Sequence, residues 1–312
     1  MNFLSKLNDA LMIGEKALLS FILTSPHRYK KYEINKRNGK GKRLIAHPSK
    51  QLKYIQRLLV KELEEQLPVH ESAMAYKKGV GIKNNALAHK DSKYLLKMDF
   101  KDFFYSITPE MFFKATASKG LHYSESDKLV LSHLLFFRLN RNSPLTLSIG
   151  APSSPLISNF SMNLFDEAIS NYCAELEVTY TRYADDIVFS TNSKNALFSI
   201  PSKVEKTLKS ECFGCVKVNT GKTVFSSKAH NRHVTGITIS NEGKLSLGRD
   251  RKRKISSLVH KFGLGLLNVR EINELRGLLA FASDIEPLFL ARLRGKYGSK
   301  CLSSISNYKQ EE

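Results

Sequence analysis

The stretch 178-VTYTRYADDIVFST-191 sets two adjacent carboxylates, Asp185 and Asp186, between two runs in which β-branched and aromatic residues recur. Such runs read as the arms of a hairpin, with Tyr183 to Asp186 at its turn. Adjacent acids on a tight turn repel unless something positive meets them, so the pair is either a solvated tip or a place that takes a cation. Upstream, 94-YLLKMDFKDFF-104 begins as a strand. Its alternation puts Leu95, Lys97 and Asp99 on one face and Tyr94, Leu96 and Met98 on the other, with Asp99 near the strand's end, where a ligand can reach it.

The rest of the chain bounds what such acids can do. Its 312 residues are enough for a sizeable core divided into two or three subdomains. Lys and Arg number 49 against 29 Asp and Glu, a formal charge of +20 spread along the chain. That excess points to a polyanionic partner, nucleic acid above all. Four cysteines do not make a disulfide framework, and the longest apolar run, Leu129 to Phe137, is too short to span a bilayer. A cytoplasmic protein with no membrane attachment is expected.

The order of elements is legible in outline. Residues 1 to 24 have helical spacing, ending near Pro26, and residues 29 to 49 read as two strands around a Lys- and Gly-rich turn. A helix follows from about Gln51 to Leu67, then the Asp99 strand, then a mostly helical stretch to about Leu139. GAPSSPLISN (150–159) reads as a turn opening a helix, and the YADD hairpin comes next. A helix near 195 to 210, the strands VKVNTGKTVFSS and HVTGITIS, and a helical basic tail complete the chain.

Carboxylates on rigid strands suit phosphoryl transfer. Two Mg2+ ions commonly run it, and each needs only one or two carboxylates plus substrate phosphates. The order of motifs resembles the reverse transcriptases. That resemblance implies an α+β right-hand polymerase, with fingers, an antiparallel palm sheet and a helical thumb. It divides the chain into an N-terminal helix and fingers (1–93), a palm (94–240) with a helical insertion at about 107–145, and a basic thumb (241–312). It assigns metal binding and catalysis to Asp99, Asp185 and Asp186. KGKRLIAHPS (40–49) is similar to the finger hairpin whose Arg, here Arg43, contacts the triphosphate. A guanidinium suits that task because it bonds phosphate bidentately. The GAPSSP element, with Gly150, is similar to the signature that cradles nucleotide and template, although Ile149 stands where relatives commonly have Gln. NTGKTVFSS (219–227) would bring Lys222 near the nucleotide phosphates. Phe104 falls where the family keeps an aromatic gate against a 2′-hydroxyl, and one of Phe103 and Phe104 is expected to pack in the core instead.

Two short strings narrow the branch. Asn85 to His89 is similar to the NAxxH element of retron reverse transcriptases, and Val234-Thr235-Gly236 to their VTG element. The resemblance implies an enzyme that copies its own structured noncoding RNA, primed from an internal guanosine 2′-hydroxyl, into a branched RNA–DNA product. It also implies deoxynucleoside triphosphates as substrates and a toxic effector as partner in defence against phage. Asn85, His89 and Val234 to Gly236 would help position the RNA, although a buried pair and an ordinary strand residue fit the side chains as well. In the tail Arg249, Arg251, Arg253, Arg292 and Arg294 would hold nucleic-acid phosphates. Cys212, Cys215, His230 and His233 nearly imitate a zinc finger, but the His spacing is too short and Lys222 lies within the segment. A group II intron-like enzyme and a noncatalytic RNA-binding antitoxin are the competing readings.

Overall fold

The computed structural model describes residues 2–36, 39 and 41–308. Two helices, α1 (Phe3–Leu11) and α2 (Glu15–Thr24), replace the single one that the periodicity predicts. The break is local. Met12 closes α1 in the left-handed region at φ 52°, and Gly14 opens α2 at φ 84°, a conformation glycine adopts without strain. The antiparallel hairpin of β1 (Tyr29–Asn35) and β2 (Lys42–Pro48) follows as expected, though part of its turn lies outside the described residues. It feeds α3 (Lys50–Leu63), capped by the Ser49 side chain, and then the short α4 (Ile82–Ala88).

The main sheet is built on β3 (Tyr94–Lys101). After it come α5 (Phe103–Ser106), α6 (Pro109–Ser118), α7 (Glu125–Leu135), a small hairpin of β4 (Phe137–Arg138) and β5 (Leu145–Thr146), α8 (Ser154–Ser161) and α9 (Asn163–Glu175). The YADD arms, β6 (Thr179–Tyr183) and β7 (Asp186–Thr191), precede α10 (Ile200–Glu211), β8 (Lys217–Val218) and β9 (Val224–Ser227). All pairings in this sheet are antiparallel: β6 lies on β7, β7 on β3, and both β8 and β9 pair with β3. β10 (Arg232–Val234), β11 (Ile237–Ile239) and β12 (Leu245–Ser246) form a second small sheet, leading to α11 (Arg249–Gly263), α12 (Val269–Ile285), α13 (Pro287–Tyr297) and α14 (Ser299–Ser306).

Alternation along β3 feeds two cores. Leu96, Met98 and Phe100 enter one with Phe112, Phe160, Phe165 and Phe189. Leu95, with Val188 of β7, enters another with Val234, Ile237, Leu275 and Leu279. Each fully buried side chain of this kind stabilises the fold by about 1.5–3 kcal/mol, so both faces of the sheet are committed to packing. The acids sit at one end of this sheet, where Asp99 pairs with Asp186. HVTGITIS is not one strand. Val234 pairs with Ile237 across a two-residue turn, Thr235-Gly236, both at positive φ (46° and 80°) as a primed hairpin turn requires.

Candidate active site

Strand register brings the predicted acids together. Asp99 and Asp186 are direct partners across β3 and β7, so their side chains leave the same face of the sheet. Asp185 belongs to the two-residue turn between Tyr183 and Asp186, and its carbonyl accepts the Phe100 N–H at 2.9 Å. Ala184 holds the turn at φ 57°, a region that costs a residue with a Cβ. Burial, then the charges of Asp99 and Asp186, raises the Asp185 carboxyl above the ordinary range. Burial also raises Asp186, against the pull of Lys97, whose Nζ is 3.6 Å away.

Lys222 reaches this cluster directly. Its Nζ donates to both carboxylate oxygens of Asp99 at 2.8 Å, and the Asn219 backbone N–H donates to the Asp99 carbonyl at 2.7 Å. Burial opposes the Lys222 charge, but the bond to Asp99 and the three nearby carboxylates outweigh it and raise its pKa. The side chain of Asp99 is only 7% exposed beneath it. Sequence placed Lys222 near phosphates, whereas here it neutralises the first acid. Among the described residues no three acidic, His or Cys side chains stand ready as a metal cage. The donor chemistry nevertheless fits a hard divalent cation: the oxygens are carboxylate, burial and mutual repulsion at Asp185 outweigh the pull of Lys222, and an ammonium already sits on Asp99.

Behind the turn lies a buried ion pair. Arg182 and Asp166 both have 0% side-chain exposure and meet at 2.5 Å and 2.8 Å, while the Tyr180 hydroxyl donates to Asp166 at 2.7 Å. Arg182 also donates to Asn159 Oδ1 at 3.2 Å and to the Ala184 carbonyl at 3.4 Å. One guanidinium thus links the YADD turn, α8 and α9. Arg182 follows Tyr180 on the core-facing side of β6, and that inward Arg in the alternation was the available signal for a residue that motif reading missed.

Beside the acids is a cavity of about 350 Å3 walled by Lys53, Tyr76, Phe104, Ile149 and Gly150, among others. Phe103 is buried, and Phe104 reaches the cavity. Gly150 is required there. At φ 126°, a Cβ on it would sit 2.9 Å from the His47 ring and 3.0 Å from the Ala46 carbonyl, so the GAPSS loop lies directly on β2. The Ala46 N–H donates to the Ile149 carbonyl at 2.9 Å and the Tyr105 hydroxyl to the Leu44 carbonyl at 2.7 Å, fixing the hairpin that carries exposed Arg43. Tyr76, also missed, is left-handed at φ 60° and its ring is 6.4 Å from Phe104. Burial and the Asp185 charge raise its hydroxyl pKa while Arg43 pulls the other way, so Tyr76, Arg43 and Asp185 share one electrostatic neighbourhood.

The residues expected to meet RNA divide. Asn85, His89 and Val234 are all 0% exposed. His89 bonds Ser190 at 2.8 Å and Thr181 at 2.7 Å, and burial lowers its pKa to about 3. Direct RNA contact by these buried side chains is therefore corrected: His89, desolvated and bonded on both nitrogens, packs the end of α4 on β6 and β7, Val234 belongs to the core, and Asn85 is enclosed with its Oδ1 unpartnered. Asn85 donates to Thr235 at 3.4 Å, so the two short strings meet each other, and Gly236 gives its carbonyl to Arg251 at 3.0 Å. Arg251 further lies 4.9 Å over the Phe281 ring, committed to holding the small sheet rather than projecting for phosphate. Arg249 and Arg253 are exposed beside a groove of about 490 Å3 on α11. Exposed Arg294 lines one of about 670 Å3 with Arg276, and Arg292 pairs with Glu286 at 3.2 Å. Cys212 is buried against Met162 and Cys215 is exposed, while His233 bonds Thr238. Among the described residues no helix is long and apolar enough to cross a membrane.

Residues 34–239 match the family model described as reverse transcriptase (RNA-dependent DNA polymerase). The chain is 48% identical to the Retron Ec83 reverse transcriptase of Escherichia coli over 90% of its own length and 91% of that protein's. To the Retron Ec73 reverse transcriptase of Escherichia coli it is 37% identical over 93% of each. Among solved structures, the telomerase of Candida albicans in complex with a fragment of telomeric RNA aligns with TM-score 0.51 at 12% identity, over 90% of this chain and 59% of that one, a likeness of fold alone.

Proposed function

The chain belongs to the retron reverse transcriptases, RNA-directed DNA polymerases of right-hand fold, and from that membership we propose that it copies part of a cognate structured noncoding RNA into branched single-stranded DNA, primed from an internal guanosine 2′-hydroxyl. The observation that carries the chemistry is the cross-strand pair of Asp99 and Asp186 beside the strained turn that holds Asp185. These three would hold two Mg2+ ions, which when bound activate the attacking hydroxyl and stabilise the leaving pyrophosphate. The protein's own part is placement. Arg182 and Asp166 hold the turn, Phe104 and Gly150 shape the cavity for a deoxynucleotide, Arg43 would face its triphosphate, and Lys222, now bonded to Asp99, would be free to meet the phosphates with metal on the acids.

Exposed arginines of α11 and α13, Arg249, Arg253, Arg292 and Arg294, would hold the RNA and the growing hybrid by phosphate contacts, in keeping with the +20 charge. Residues 241–312 are the thumb in this reading, residues 94–240 with the sheet on β3 the palm, and the first 93 residues the N-terminal helices and fingers. A toxic effector acting with the enzyme in phage defence, in the cytoplasm, completes the proposal and is supported by kinship with retron enzymes alone. The test is the nucleic acid that purifies with the protein. Sequencing before and after enzymatic debranching should find a short DNA joined 2′–5′ to RNA. A preparation active in primer extension but carrying only linear nucleic acid would refute the priming step and leave the polymerase intact.

A further inference from the structure

At the opposite end of β3 from the acids, a cavity of about 260 Å3 opens between β9 and the turn after β7. Tyr94 lines it and Asp99 is five residues on, so the two places are about 16 Å apart along the strand. Phe198 and Phe225 form one wall. Their rings are 5.4 Å apart and inclined at 50°, and the residues are 66% and 45% exposed. Such exposure is costly for an aromatic pair with no ligand, since both positions could be polar without disturbing either core. Among the side chains lining the cavity are Lys194 and His230, with serines and Asn195, and no acid. Next in sequence to the lining residues Tyr94 and Ser227 stand Lys93 and Lys228, whose backbones are joined where the Lys228 N–H donates to the Lys93 carbonyl at 3.1 Å. Among the described residues none of these three lysines is in an ion pair, and Asp91, two residues before Lys93, lies 3.9 Å from Lys90 instead.

We propose that this cavity is a second binding site for single-stranded nucleic acid, in which unpaired bases stack on Phe198 and Phe225 while phosphates meet Lys194, Lys228 and Lys93. Aromatic faces give sequence-tolerant stacking, and lysines follow the backbone, the combination by which single strands are held without base readout. The occupant follows from the charge: a rim of cations without acids complements phosphates. The strand itself is supplied by the polymerase reaction proposed above, and the site lies outside that reaction's cavity.

The test uses the full-length protein with its cleft saturated by an unlabelled primer–template duplex. Fluorescein-labelled twelve-residue oligodeoxythymidylate and oligouridylate, each carrying one photoreactive pyrimidine, serve as probes. Crosslinks should map to peptides containing Phe198 or Phe225, and Phe198→Ala/Phe225→Ala should weaken this binding by about tenfold or more. Lys194→Glu/Lys228→Glu should weaken it too and reduce the salt slope by about 1.4 for two lost contacts. Both variants should extend a short annealed primer as the wild type does. Complete competition by the duplex, crosslinks confined to other peptides, or unchanged binding by the aromatic variant would overturn the proposal. So would a polypeptide that leaves the Phe198→Ala/Phe225→Ala protein while oligonucleotide binding is kept, because the face would then be a protein contact. Loss of primer extension in the wild type would instead strike at the polymerase reading.

Discussion

Asp166→Asn is nearly isosteric and removes one negative charge from behind the YADD turn. The Arg182 guanidinium would remain fully buried, with Asn159 and the Ala184 carbonyl as neutral acceptors but no counterion. Leaving one partner of a buried pair uncompensated costs about 3–5 kcal/mol. Against a total stability of about 5–15 kcal/mol, that is a large fraction, readable as a displaced urea midpoint. Asp166→Asn/Arg182→Met removes the orphaned charge while the amide oxygen still accepts from the Tyr180 hydroxyl, so most of the lost stability should return. Synthesis should not return with it. Without the guanidinium nothing ties Asn159 to the strained Ala184, and a misplacement of about 1 Å at Asp185 can cost roughly a hundredfold in rate. Urea titration and primer extension on the same three proteins decide the matter. A single variant that loses less than about 1 kcal/mol, or a double variant no more stable than the single, would refute the role given to this pair.

Three further outcomes follow from the site. Asp185→Asn and Asp186→Asn should each lower DNA synthesis by about 10²–10³-fold, a loss of charge stabilisation, while filter binding of RNA stays close to normal. Phe104→Ala should raise the ratio of ribonucleotide to deoxynucleotide incorporation in a competition assay, and an unchanged ratio would make Phe104 a packing residue only. His89 should leave a signature in the pH dependence of stability. Its folded pKa of about 3 lies below the ordinary 6.5, so its contribution is fully present above pH 6.5 and is lost progressively as pH falls toward 3. By pH 5 the loss is about 2 kcal/mol, and His89→Gln should show a correspondingly flatter decline between pH 6.5 and 5.

What sequence made legible was local. Alternation placed Lys97 and Asp99 together on β3, and the YADD flanks announced a hairpin whose register then made Asp99 and Asp186 neighbours. Punctuation at Pro26 and the change of period after it located the hairpin of β1 and β2. What stayed hidden depends on contacts distant in the chain. Asp166 and Arg182 are sixteen residues apart on different elements, and nothing in either neighbourhood says that they meet. Tyr76 faces Phe104 only because the chain before α4 turns left-handed at φ 60°, a strain that tertiary packing imposes and that a Tyr does not advertise.

The two short strings show the limit from the other side. A motif marks positions without saying how they act: the likeness to the NAxxH element assigned Asn85 and His89 to RNA, while their side chains fitted a buried pair as well. Burial reverses that inference: an imidazole held near pKa 3 by desolvation and bonded on both nitrogens has no capacity left for a ligand. Their partners say what they do. His89 fixes α4 on Thr181 of β6 and Ser190 of β7, Asn85 reaches Thr235 in the tight turn of the small sheet, and Gly236 of that turn receives Arg251 from α11. This chain of contacts runs from the face of the sheet that bears Asp99 and Asp186 to the first helix with exposed arginines. The NAxxH and VTG strings therefore join the part that would hold RNA to the part that would extend it. A change in either string should disturb the angle between them before it disturbs any contact with RNA.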